Sequence, residues 1–182
     1  MDSKDYLVQF YENYDELLAD PTIDAVCITS PTSLHPELMI KAAKAGKHIH
    51  MEKPGGTDIA EFRKLIEVLK SKKLTFSTGY MYRFNPKIEE ALRKVKRGDL
   101  GEIYAVEAHM DCWHNAEKRQ WLKKHTGGMM YFLGCHLVDM ICLFQGFPKE
   151  ILPMSCSTGN DGLDTEDFGF TVFKYSSGVS FA

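Results

Sequence analysis

Residues 25–54 read AVCITSPTSLHPELMIKAAKAGKHIHMEKP. Two short apolar runs, AVCITS (25–30) and HIHME (48–52), flank a segment of helical composition. Pro36 suits a first helical position, and Gly46 is a good helix stop. The stretch therefore reads strand, helix, strand, and such alternation with short loops argues a parallel crossover.

The pattern extends on both sides. ENYDELLAD (12–20) has the composition of a short helix. Ile59, Phe62, Leu65, Ile66 and Leu69 recur at helical spacing and predict a helix over about 57–70. LTFSTGY (74–80) is a third strand. Such alternation predicts a parallel sheet covered by helices, joined by right-handed crossovers, over residues 1–84. The fold class is thus α/β in its first part.

The pattern changes after residue 84. Pro86 opens a helix to about Arg97, closed by Gly98, and KIEEALRKVKR (87–97) reads as its solvated face because Glu89 and Glu90 interleave the cations. EIYAVEAHMDCW (102–113) predicts one long strand from its β-branched and aromatic content. Gly127 and Gly128 precede a helical run, MMYFLGCHLVDMICLF. EILPMSCSTG and DFGFTVFKYSSGVSFA follow as strands with SSG at a hairpin turn. Residues 85–182 therefore predict an incomplete α+β domain with a mixed or antiparallel sheet. Its apolar edge calls for cover by another chain.

The chain has 182 residues, is 44% hydrophobic and 26% charged, and carries a formal net charge of −3. No basic field is available for nucleic acid. No apolar run approaches the roughly 20 residues of a membrane span. The N-terminus lacks a signal-peptide plan. Five cysteines, without a CxxC pair, read as reduced thiols in a cytoplasmic protein. The nine methionines are scattered and read as core filler.

In a doubly wound sheet, ligands bind beyond the carboxyl ends of the strands. SPTSLH, EKP and GYMYRFN all stand there, and are expected to line one crevice. Lys53 at a strand end either donates to a substrate oxygen in a partly dry pocket or pairs with a surface carboxylate. His136 is either a general base oriented by Asp139, three residues on, or a packed core histidine. HMDCWH (109–114) holds potential metal ligands. Strand alternation sets His109 and Asp111 on one face, and Cys112 and His114 on the other, so no metal site is expected. His114 or Trp113 remains a candidate for a substrate pocket.

YDELLADPTIDAVCITSPTSLHPELMIKAAKAGKHIHMEKP, GYMYRFNP, RGDLGEI and GGMMYFLGCHLVD together resemble the glucose–fructose oxidoreductase / inositol dehydrogenase (Gfo/Idh/MocA) family. The resemblance covers essentially the whole chain. It implies a Rossmann-like domain and an NAD(P)-dependent oxidoreductase acting on sugars, inositols or related polyols. It places Ser30, Pro31 and Thr32 along the cofactor, with His35 behind them. Glu52 and Lys53 are implied beside the nicotinamide and its ribose, Lys53 also reaching the reacting oxygen. Arg83 is implied near the cofactor or the domain junction, Trp121 at the cofactor end of the pocket, and His136 as the base. His114 is taken as a substrate-pocket residue from its place in HMDCWH, and Phe132 as one that makes the pocket more apolar. Homo-oligomers through the open face of the C-terminal sheet are also implied.

The sequence departs from the family pattern twice. No G-x-G-x-x-G turn occurs, and the first glycine is Gly46. That turn supplies the N–H groups that grip the pyrophosphate. The expectation is therefore a chain truncated at both ends relative to the family, inactive or weakly cofactor-binding, with NAD against NADP left open. A non-enzymatic binding or oligomer-forming module is the alternative. Second, many members carry an Asp four residues before the catalytic His, where this chain has Phe132. Asp139, Lys53 or His114 then substitutes for it, or activity is altered.

Overall fold

The computed structural model describes residues 8–56, 58–124, 128–159 and 162–182. Thr57, at the expected helix start, and Gly127 of the Gly-Gly pair lie outside the described residues. The chain divides into two compact units, Met1–Thr78 and Gly79–Ala182. This division falls a few residues before the boundary expected at 84, because the 3₁₀ turn Met81–Phe84 packs with helices of the second unit.

In the first unit, α1 (Tyr14–Ala19) leads into β1 (Ala25–Ile28), α2 (His35–Lys44), β2 (His48–Met51), α3 (Ile59–Lys72) and β3 (Phe76–Thr78). The three strands are parallel in the order β1-β2-β3. Strands 25–30 and 74–80 of the sequence reading are each shorter than expected, β1 ending before the polar Thr29 and Ser30 and β3 spanning only Phe76–Thr78. Val26, Ile28, Ile49 and Met51 point to one face and pack with Met39, Ala42 and Ala43 of α2 and Leu65 and Leu69 of α3. Burying one such side chain fully contributes roughly 1.5–3 kcal/mol. The opposite face carries small or polar groups at Ala25, Cys27 and His50, which are exposed.

Local chemistry sets the ends of these elements. Asp58 caps α3, its Oδ1 accepting from the N–H groups of Ala60 and Glu61 at 2.8 and 3.1 Å. Lys47, nearly buried, donates from Nζ to the carbonyl oxygens of Asp20 and Ile23 at 2.7 and 2.8 Å. This ammonium satisfies backbone acceptors in the loop before β1 that would otherwise be buried at a cost.

In the second unit, α4 (Pro86–Arg97) starts at its Asn85 cap and stops at Gly98, whose φ of +79° is the left-handed conformation glycine adopts without strain. It buries no residue, as its charge pattern indicates, and carries Glu89–Arg93 and Glu90–Lys94 pairs. α5 (Ala116–Lys123) is a helix the sequence reading passed over. A π-helical turn over Met130–Gly134 then leads into α6 (Cys135–Gln145), so the expected single helical run changes its winding midway.

The sheet of this unit is antiparallel, β4 (Glu150–Cys156) with β5 (Phe168–Lys174) and β5 with β6 (Val179–Phe181) across the SSG turn. Ile141, Phe173, Tyr175 and Ala182 form its core, with Met130, Leu137 and Val138 packed on them. The long strand expected over 102–113 does not form. Val106 and Ala108 bond to Phe181, and Glu107 makes one isolated parallel bridge to it. β6 has only three residues, so it offers partners to a short stretch alone. A strand without a partner has no ladder to hold it.

Candidate active site

His35 organises the loops at the carboxyl ends of β1 and β2. Its ring is 1% exposed, with Nδ1 2.9 Å from the Pro54 carbonyl oxygen and Nε2 2.8 Å from that of Ser30. The residue described above only as lying behind the loops is thus a bridge between them. Ser30, Pro31 and Thr32 on one side and Glu52, Lys53 and Pro54 on the other are thereby held together. Thr32 is buried, and Ser30 Oγ is buried without a hydrogen-bond partner among the described residues. Such an orphaned hydroxyl calls for a ligand or water to satisfy it. Glu52 Oε2 accepts from the Lys53 backbone N–H at 3.2 Å, and the Lys53–Pro54 peptide is cis.

His136 occupies the first turn of α6 and is 4% exposed. The ring edges and faces of Tyr80 and Tyr82 enclose it, with centroids 5.9 and 5.1 Å from the imidazole and near-perpendicular planes. Burial pushes the Tyr80 hydroxyl up to about 12, so that it stays neutral over the working pH range. Asp139, expected to orient His136, has a different principal partner. Arg83 Nε lies 2.9 and 3.1 Å from its two carboxylate oxygens, and Nη2 also donates to Oδ1. The fork geometry of a bidentate pair fixes both side chains. Arg83 further stacks its guanidinium over Tyr80 at 5.5 Å. Tyr80 and Tyr82 thus flank His136, and Arg83 ties Tyr80 to Asp139.

Trp121 and Phe132, assigned separately above, meet edge to face at a centroid distance of 5.5 Å. The Lys118 ammonium covers both rings, 3.8 Å from Trp121 and 4.7 Å from Phe132. His114 lies in a cavity of about 250 Å³ with Cys112, Trp113, Arg119, Met129 and Asp167. Arg119 Nη1 donates to Asp167 at 2.8 Å. The Thr158 hydroxyl and N–H, with Arg119, hold the Asp167 carboxyl at about 2. The pairs His109–Asp111 and Cys112–His114 form separately, at 3.2 and 3.4 Å.

Sequence reasoning missed the two tyrosines and the Arg83–Asp139 pair. Their signal was the alternation Tyr80, Tyr82 directly after the third strand, followed by an Arg. α5 was signalled by Asn115, which caps it, and by Glu117 in its first turn.

Comparison with known proteins bears on the whole arrangement. Residues 3–80 match the oxidoreductase family with NAD-binding Rossmann fold, and residues 88–182 match the GFO/IDH/MocA C-terminal domain. The chain belongs to the GFO/IDH/MocA oxidoreductase family. Its sequence is similar to a scyllo-inositol 2-dehydrogenase (NAD(+)) of Bacillus subtilis, 37% identical over 68% of this chain and 35% of that protein. It is similar to a D-xylose 1-dehydrogenase (NADP(+)) 2 of Haloferax volcanii, 30% identical over 93% of this chain and 52% of that protein. Among solved structures, a myo-inositol 2-dehydrogenase from Lactobacillus plantarum superposes with a TM-score of 0.84. It is 27% identical over 94% of this chain and 53% of its own. The chain spans about half the length of the curated relatives it matches. As a GFO/IDH/MocA chain it combines a Rossmann-like parallel sheet with the family's antiparallel C-terminal sheet. No helix among its described residues is long and apolar enough to cross a membrane.

Proposed function

We propose that this chain carries the nicotinamide side of an NAD(P)-dependent hydride transfer on a sugar, an inositol or a related polyol. The observation that carries the reading is Ser30 Oγ, an orphaned hydroxyl at the carboxyl end of β1, in a loop fixed to the next by His35. These residues fit the nicotinamide half of a dinucleotide. Ser30, Pro31, Thr32, Glu52 and Lys53 would hold it, and its ring, when bound, supplies the hydride chemistry.

Lys53 is the residue to donate to a substrate oxygen, where a cation stabilises developing negative charge. His136 is the base that takes a substrate hydroxyl proton. Tyr80 and Tyr82 hold its ring, and Arg83 acts through Asp139 as a positioning residue. Trp121, Phe132 and His114 contribute an aromatic, partly cationic wall for the substrate. A pyrophosphate is gripped by the N–H groups of a G-x-G-x-x-G turn, and no such run occurs in the 182 residues. The chain alone therefore binds the dinucleotide weakly. The five free thiols suit a reducing compartment, in keeping with a cytoplasmic location.

Titration of the 182-residue chain with NADH and NADPH tests this. Residue-resolved amide NMR at millimolar cofactor should show shifts at Ser30, Thr32, Glu52 and Lys53. No shift at those residues would overturn the reading, and saturable micromolar binding by cofactor fluorescence would overturn the claim of weak affinity. His136→Asn should lower any inositol- or xylose-dependent turnover by about 10²-fold or more.

A second reading rests on β4. Ile151, Leu152 and Met154 are exposed there, which favours homo-oligomers through this sheet. Sedimentation across a concentration series tests it, a monomer at all concentrations being the adverse result.

A further inference from the structure

Cys112 takes no part in the proposed hydride transfer, and beside His114, which that reading sets in the substrate wall, its geometry is that of a nucleophile beside a base. Cys112 is exposed, with Sγ 3.4 Å from His114 Nε2 and 3.9 Å from the Trp113 carbonyl oxygen. Sulfur contacts of this length are within hydrogen-bond reach, so a proton can pass directly between thiol and ring. His114 Nδ1 is buried and has no hydrogen-bond partner among the described residues. Nε2 is the nitrogen that faces the thiol, and it accepts the proton in the tautomer whose N–H stands on Nδ1.

Burial first, and then nearby cations, favour the neutral form of this imidazole. Burial, followed by the charges of Lys118 and Arg119, holds it below its ordinary value of 6.5. Asp167 faces the same cavity but is engaged with Arg119 and Thr158, while His109 and Asp111 pair with each other. The cavity of about 250 Å³ admits a small reagent.

We propose that Cys112 is a covalent modification site for small soft electrophiles such as hydroperoxides, with His114 as the acceptor of the thiol proton. With a hydroperoxide, Sγ attacks one oxygen, the S–O bond forms and the O–O bond breaks. The sulfur is oxidised by two electrons to a sulfenic acid as the peroxide is reduced. The thiol proton passes to His114 Nε2 and then to the leaving oxygen, which departs as water or an alcohol.

The chain supplies its own controls, because Cys27 and Cys156 are also exposed. A short pulse of iodoacetamide at pH 7.5, read by peptide mass spectrometry, compares all three thiols in one sample. In that probe reaction the S–C bond forms, iodide leaves, and the same proton goes to His114. Cys112 should react several-fold faster than Cys27 and Cys156, and His114→Asn should bring it down to their rate. The ratio of Cys112 to Cys27 labelling in the unmodified chain should also fall towards unity as the pH drops well below 6.5, where the imidazole is protonated. Equal rates for the three thiols at pH 7.5, or a ratio indifferent to pH, would overturn the proposal. Labelling needs neither cofactor nor substrate, so its failure is distinct from failure of the NADH titration.

Discussion

In the first unit Val26, Ile28, Ile49 and Met51 are buried against α2 and α3, whereas all seven residues of β4 in the second unit are exposed. The contrast follows from topology. A parallel strand pair needs a crossover, and the crossover helix arrives as cover for the sheet. The β4–β5 connection, residues 157–167, contributes no helix among its described residues and so brings no cover. Pro153 in the middle of β4 has no N–H to donate, which suits a strand at a sheet edge. The second unit adds to its smaller core the polar fastenings of Arg83 to Asp139 and Arg119 to Asp167 with Thr158. The first unit relies on a continuous apolar core.

The sharpest way to break this comparison is to truncate leucines of equal chemistry in both units. Leu65→Ala, at 1% exposure, should lose about 2–5 kcal/mol in urea unfolding. Leu152→Ala, at 59% exposure, should change it by no more than about 0.5 kcal/mol. Equal losses would mean that β4 is covered in solution.

A smaller effect is expected at Gly178. A Cβ there would stand 1.9 Å from the Tyr104 carbonyl oxygen, a backbone atom that cannot rotate away. Gly178→Ala should therefore cost about 1–3 kcal/mol by overpacking. Tryptophan fluorescence reads it, because Trp113 and Trp121 both lie in the second unit. An unchanged midpoint would show that residues 103–108 are not pressed against the hairpin.

The smallest effect concerns acid. Asp167 is held at about 2 against an ordinary 3.8, by the Thr158 hydroxyl first and then its N–H and Arg119. A depressed carboxylate contributes stability that is full above about 3.8 and is lost as the pH falls through about 2. Asp167→Asn should flatten the fluorescence-detected acid transition of the second unit in that window. An identical acid profile would assign the transition to other carboxylates.

How much of this the sequence disclosed depends on how local each cause is. α4 was legible because Pro86 and Gly98 act at its own ends. The three parallel strands were legible because their helices alternate with them at short spacing. The strand over 102–113 was misread because its existence depends on a partner beyond residue 178. α5 escaped because its apolar content is small beside its charges. Arg83 and Asp139 are 56 positions apart, and no local pattern joins them. The same holds for the aromatic pair of Trp121 and Phe132. Resemblance named the candidate residues, whereas their packing partners had no local signal.

The His35 bridge has a consequence for anyone re-engineering this scaffold. The two ring nitrogens of His35 lie 2.9 and 2.8 Å from the carbonyl oxygens of two different loops. Neither loop can be exchanged independently, since a new backbone path at Ser30 displaces one end of the ring and a new path at Pro54 the other. The SPT and EKP segments are one transplantable module with two chain crossings, and a graft must carry both together with the histidine between them.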